Sequence, residues 1–212
     1  MSDELHQPAT EDGPDWAAYY RHTLGREPRP LFVKGMAALQ AAGITAGDAV
    51  EIGFGDGTET MALLEAGWRV VAVDAAPDAA EVLRGRVDGA RADRLEIRTE
   101  SAETASLPPF DLLYAGYALS FIPPAAFRRF WRRVRAQLRP GGFLVVNIFG
   151  VRDTWAGEPG KTFVARDEVF RMLQGLEVVS LDEEDQDGDS FTGPKHWHVF
   201  DIVARRPLAV PA

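Results

Sequence analysis

Cysteine is absent from all 212 residues. That excludes disulfides, thiolate metal sites and cysteine nucleophiles together, and it fits a reducing compartment. Positive charge is in deficit: 23 lysines and arginines face 32 carboxylates, for a net charge of −9. Such a chain repels nucleic-acid phosphates, so a general nucleic-acid binder is not expected. No apolar run approaches the length of a membrane span, about 20 residues. The opening MSDELHQPATEDG is polar and acidic and lacks the apolar core of a signal peptide. Internal repeats are missing, and so are low-complexity segments beyond a short tail. These absences predict a cytoplasmic protein with neither nucleic acid nor membrane as partner. Nothing in them fixes an oligomeric state.

What is present is 46% apolar residues, enough for one well-buried core. Residues 1–13 lack apolar periodicity and read as a disordered lead-in. A single domain is expected over 14–208, with a short tail at 209–212. Within it, 14–42 reads as a helical cap. Trp16, Tyr19, Tyr20 and Thr23 recur at helical spacing, and a second helix runs from Pro30 to Gln40. Strands and helices then alternate. Short apolar runs at 48–52, 69–73, 94–98, 110–115 and 142–149 have the character of buried parallel strands, with helical patterns at 58–66, 77–90 and 124–138 between them. This alternation predicts an α/β sheet with helices on both faces. The end of the chain differs. Leu176–Leu181 and His198–Val203 read as two strands with no helix between them, hence an antiparallel hairpin joined by the acidic stretch 182–189.

The most informative segment is Ala49–Asp74. An apolar run ends in Glu51 and opens into Gly53-Phe54-Gly55-Asp56-Gly57; a helical stretch and a second apolar run ending in Asp74 follow. Glycines suit a turn where backbone must approach a ligand closely before entering a helix. The spacing discriminates between ligands. A dinucleotide fingerprint needs its third glycine at position 58, which is Thr58 here, and no Gly-Lys-Ser/Thr follows to make a P-loop. Asp74 at the end of the second strand suits acceptance from two ribose hydroxyls.

With these residues in view, the chain resembles the class I S-adenosylmethionine-dependent methyltransferases over about residues 45 to 205. Glu51-Ile-Gly53-Phe-Gly55-Asp-Gly57 is similar to their first motif, Val71-Ala-Val-Asp74 to their second, and Leu138-Arg-Pro-Gly-Gly142 to their turn into the fifth strand. The small tellurite-resistance and thiopurine methyltransferase-like branch is similar in its compact size, its Trp16-to-Pro30 opening and Lys195-His-Trp-His198. The resemblance implies a Rossmann-like sheet of seven mostly parallel strands with an antiparallel last strand, and S-adenosyl-L-methionine as cofactor. It implies that Glu51, Gly53, Phe54, Gly55 and Gly57 surround the cofactor, that Asp74 holds its ribose and that Ala75 packs beside its adenine. Ser101 and Ala102 stand where the family has an Asp-Ala pair against the adenine amino group; Ser101 replaces the Asp, which leaves that contact to Glu100 or the backbone. Ala115 and Tyr117, at and just after the fourth strand, are expected against the cofactor.

Methyl transfer from a sulfonium is an in-line displacement, so the protein needs chiefly to align nucleophile and methyl group and to exclude water. A base is required only where the acceptor carries a proton that must leave. His196 opens the last strand at the cofactor edge and is the candidate for that role, or for orienting an anionic acceptor. Trp16, Tyr20 and Arg21 are the candidate acceptor contacts from the cap, and the Gly150–Lys161 loop is a candidate closing element. His198 lies deeper in the strand and reads as structural; two histidines without a third ligand predict no metal. The arginines of 127–135 and the acids of 182–189 read as solvated. The expected function is methylation of a small-molecule acceptor. Two alternatives are a non-catalytic S-adenosylmethionine-binding sensor or scaffold, and, disfavoured by Thr58, a nicotinamide-dependent oxidoreductase.

Overall fold

The computed structural model describes residues 16–208, the side chains of 16–18 and 21 excepted. The expected lead-in at 1–13 and tail at 209–212 lie outside the described residues. Two helices, α1 (Trp16–Thr23) and α2 (Pro30–Ala41), precede the sheet. The chain then runs β1 (Asp48–Ile52), α3 (Thr58–Glu65), β2 (Arg69–Asp74), α4 (Pro77–Arg86), α5 (Gly89–Ala92), β3 (Leu95–Thr99) and β4 (Phe110–Ala115). It closes with α6 (Pro124–Gln137), β5 (Leu138–Phe149), α7 (Arg166–Leu173), β6 (Glu177–Ser190) and β7 (Gly193–Arg205). Prolines open α2, α4 and α6, where the missing N–H costs nothing and φ is already helical.

The seven strands lie in the order β3-β2-β1-β4-β5-β7-β6. The first five are parallel, and β7 runs antiparallel to both its neighbours. From β1 the chain crosses to β2 on one side and later to β4 on the other. The carboxyl ends of β1 and β4 therefore flank a crevice at the switch point. Helices cover both faces. Leu31, Phe32 and Leu39 of α2, Leu63 and Leu64 of α3 and Leu83 of α4 bury one face. On the other, Phe127, Phe130, Trp131 and Val134 of α6 pack with Val169 and Leu173 of α7. Among the described residues no helix is long and apolar enough to cross a membrane.

Three local expectations are corrected. The helix expected over 77–90 ends at Arg86; Val87 is extended, and Asp88 caps α5 through the Arg91 N–H. Leu138–Gly142 is not a turn before β5 but part of it, with a shift in register opposite Phe110 and Leu112 where Gly141 takes φ +82°. Helix α7 was not among the expected elements. The largest correction is at 182–189. This acidic stretch is strand, paired residue by residue with β7 as far as Ser190–Gly193, leaving a two-residue turn. The charges are tolerated because alternate carboxylates meet cations: Glu183 pairs with Arg152 and Arg166, and Asp185 with Arg152. Strand preference is set by such neighbours more than by residue type. Since β7 leaves β5 at Val199, residues 193–198 and their β6 partners overhang the crevice.

Candidate active site

The crevice is built by the turn from β1 into α3. Gly53, Gly55 and Gly57 have φ of +70°, +54° and +74°, backbone that side-chain-bearing residues adopt only at a cost of about 1–2 kcal/mol each. The space is closed too. A Cβ on Gly53 would lie 2.4 Å from that of Ala118, and one on Gly57 would lie 2.7 Å from Leu83 Cδ1. Asp74 faces the same turn from the end of β2, 8% exposed. Its Oδ2 accepts from the Gly55 N–H at 3.0 Å and its Oδ1 from the Ala76 N–H at 2.9 Å. Burial raises its pKa against those hydrogen bonds, and the Tyr20 hydroxyl adds a further one. A backbone cradle facing a fixed carboxylate suits a ribose-bearing cofactor.

The other sequence-predicted residues are distributed as follows. Glu51 is 1% exposed and accepts from the Thr60 hydroxyl. Burial, then neighbouring Glu59, hold its pKa well above the carboxylate range. Phe54 is buried against α3 and α4. Ala75 is exposed beyond Asp74, Ser101 and Ala102 are half-buried after β3, and Ala115 is buried at the end of β4. Ser101 turns its hydroxyl back onto the Glu103 N–H. Tyr117 has φ +56°, and its N–H donates to Asn147 Oδ1 at 2.6 Å. Burial, then Asp201, push its hydroxyl up to about 12.

His196 does not face the glycine turn. Its half-exposed ring bridges Asp185 and Asp187 at 2.9 and 2.8 Å, and these contacts raise its pKa. His198 is buried, accepting from the Arg152 N–H at Nδ1 and meeting Glu183 at Nε2. Tyr20 lies on the Asp74 side of the crevice. The side chains of Trp16 and Arg21 lie outside the described residues.

Of the residues that line the crevice, Arg29, Asn147 and Phe191 were not singled out by the sequence. Arg29 stacks on Tyr117, 4.8 Å from its ring centre, and donates to the Tyr19 hydroxyl at 2.8 Å. Phe191, in the hairpin turn, packs on Tyr19 and His22. Behind Tyr117, Trp197 joins an aromatic wall with Phe149 and Trp155. Inside that wall the Lys195 ammonium lies 3.4 Å from the Trp155 ring centre and 2.7 Å from Asp153 Oδ1. Asn147 had a visible signal, a lone amide in the apolar run of β5. Phe191 had none, since only the length of the hairpin brings it there.

Comparison with known proteins shows what this arrangement is similar to. Residues 50–144, from β1 into β5, match a family described as a methyltransferase domain. Solved structures share the fold of this chain. TehB from Haemophilus influenzae superposes with a TM-score of 0.72 at 12% identity, covering 90% of this chain and 67% of its own. The 1,6-didemethyltoxoflavin-N1-methyltransferase of Burkholderia thailandensis, solved with 1,6-didemethyltoxoflavin and S-adenosylhomocysteine, gives 0.62 at 22% identity over 84% and 77% of the two chains. The N-methyltransferase NodS of Bradyrhizobium japonicum, in complex with S-adenosylhomocysteine, gives 0.61 at 19% over 92% and 100%. No curated protein sequence matches this chain.

Proposed function

We propose that this protein carries the methyl group of S-adenosyl-L-methionine to a small-molecule acceptor. The observation that carries the reading is the left-handed glycine cradle facing Asp74. Gly53, Gly55 and Gly57 bring bare backbone to the crevice for the cofactor, and Asp74 is the acceptor for its ribose. Ala75, Ser101 and Ala102 lie where the adenine would extend along the ends of β2 and β3. The sulfonium supplies an activated methyl group. The chain's own residues orient the acceptor and exclude water.

Tyr117 is the residue best placed between the two halves of the reaction, its backbone fixed by Asn147 and its ring held between Arg29 and Trp197. The acceptor enters between helix α1 and the overhanging hairpin. That mouth is walled by the aromatic rings of Tyr19, Phe191, Tyr117 and Trp197, which suits a small molecule. The solved relatives that hold S-adenosylhomocysteine, and the one that also holds a small acceptor, support the same reading. His196 is held by two carboxylates away from the cradle, so its part is to steer charged acceptors under the hairpin.

Titration calorimetry with S-adenosylmethionine and S-adenosylhomocysteine tests the donor half. The expected result is saturable binding by the wild type and a loss of at least about tenfold in Asp74→Ala with its circular dichroism intact. No heat at millimolar cofactor would remove the reading.

A further inference from the structure

The glycine cradle is filled from within the chain. The Tyr20 ring lies against Gly55, so close that a Cβ there would come within 3.2 Å of Tyr20 Cε1. Its hydroxyl faces Asp74; burial, then this carboxylate, raise the phenol's pKa, and Asp74 also takes the Gly55 N–H. Tyr20 is 6% exposed. Two open surface cavities, lined by Arg135, Gly175 and Arg206 and by Asp48, Arg69 and Arg139 among others, both lie at the opposite edge of the sheet. We propose that Tyr20 is a removable occupant of the ribose position, so that helix α1 and the cofactor compete for Asp74. This rests on the cofactor reading above.

The chain around α1 is arranged for such a release. Downstream it is pinned: Arg26 grips Glu59 through both terminal nitrogens at 2.6 Å, and the Arg29 N–H donates to the same carboxylate at 2.9 Å. Between that anchor and α1 stands Gly25, with φ +84° and no heavy atom within 4 Å of where a Cβ would project. A residue with those freedoms absorbs a change of backbone direction at little cost. Upstream of the hinge, the contacts of α1 include Tyr20 on Asp74, Tyr19 and His22 on Phe191, and the Tyr19 hydroxyl on Arg29. The same helix thus closes the ribose position and touches the hairpin tip over the acceptor mouth. When cofactor hydroxyls replace the phenol on Asp74, one of the holds on α1 is gone, and the mouth loosens with it.

Tyr20→Phe keeps the ring and removes only the competing hydroxyl. Calorimetry with S-adenosylhomocysteine is expected to show Kd lowered about tenfold relative to wild type, the lower end of what a hydrogen bond to a charged group contributes. Thermal unfolding gives the second readout. Tyr20→Phe should melt below wild type without ligand and match it at saturating S-adenosylhomocysteine, because the lost bond exists only in the ligand-free protein. An unchanged or higher Kd overturns the proposal, and so does a melting deficit that persists at saturation. If neither protein binds, the cofactor reading itself fails. If wild type binds and Asp74→Ala does not, that reading stands whatever Tyr20→Phe shows.

Discussion

The buried ion pair beneath the aromatic wall offers the sharpest test of how the acceptor side is built. The Lys195 and Asp153 side chains are 2% and 0% exposed, with Nζ 2.7 Å from Oδ1. Asp153 also accepts from the N–H groups of Trp155 at 3.0 Å and His198 at 3.3 Å. Asp153→Ala therefore strands three donors, one of them charged. Breaking such a pair from one side costs about 3–5 kcal/mol, and at this chain length each kcal/mol moves the melting point by about 2–4 °C. A fall of about 6–20 °C is expected. Lys195→Met should cost less. The thioether keeps the stem packed on Phe149, Trp155 and Trp197, Asp153 keeps two N–H partners, and burial already disfavours the Lys195 charge. The double variant closes the cycle. With no charge left to strand, its loss should fall short of the two single losses together by about 1 kcal/mol or more. Urea unfolding followed by tryptophan emission reads all four proteins. Losses that add to within about 0.5 kcal/mol, or an Asp153→Ala loss below about 1 kcal/mol, would refute the argument.

Two further perturbations test the carboxylates by pH. Glu51 has a folded pKa raised above 4.5, by burial first, so stability falls as pH rises from about 4.5 through the folded value. Glu51→Gln can still accept from Thr60 and should gain about 1 kcal/mol at pH 8 with little change at acid pH; urea midpoints showing a loss at pH 8 would contradict this. His196 is raised above 6.5 by Asp185 and Asp187, so its contribution is whole below about pH 6.5 and is lost as pH rises through the folded value. His196→Ala should lower the melting point most near pH 6 and hardly at all near pH 9, and a deficit independent of pH would exclude the ion pairs as its cause.

The donor half of the molecule was legible because its chemistry is local in the chain. Gly53, Gly55, Gly57 and Asp74 fall within a single strand-turn-helix-strand unit. Backbone φ and the strand period fix their relative placement without help from distant segments, and the predicted parallel strands accordingly fall within a few residues of the observed ones. The acceptor half was obscure for the converse reason. Phe191 meets Tyr19 across 172 positions of sequence only because β6 and β7 stay paired beyond β5. The run Asp182–Asp189 hid that pairing, since its strand character depends on Arg152 and Arg166, which the chain supplies from elsewhere. His196 shows the same limit. Its position at the head of the last strand was readable, but the carboxylates that turn its ring aside come from β6.

Charge and length together explain why the hairpin can reach over the crevice without fraying. A two-stranded ribbon projecting past its sheet has little apolar surface to hold it, and isolated hairpins are marginal in water. Here one face of the ribbon carries Glu183, Asp185 and Asp187 against Arg152, Arg166, His196 and His198. The other face rests on the aromatic wall through Trp197 and Lys195. Exposed ion pairs contribute little singly, but Arg152 joins Glu183 and Asp185 in one network and anchors the loop after β5 to it. Salt should therefore loosen the hairpin tip before it affects the buried Lys195–Asp153 pair, which screening hardly reaches. The acceptor mouth, closed by that tip, would then be the part of the molecule most sensitive to ionic strength, while the glycine cradle, built from backbone and buried carboxylate, would be nearly indifferent to it.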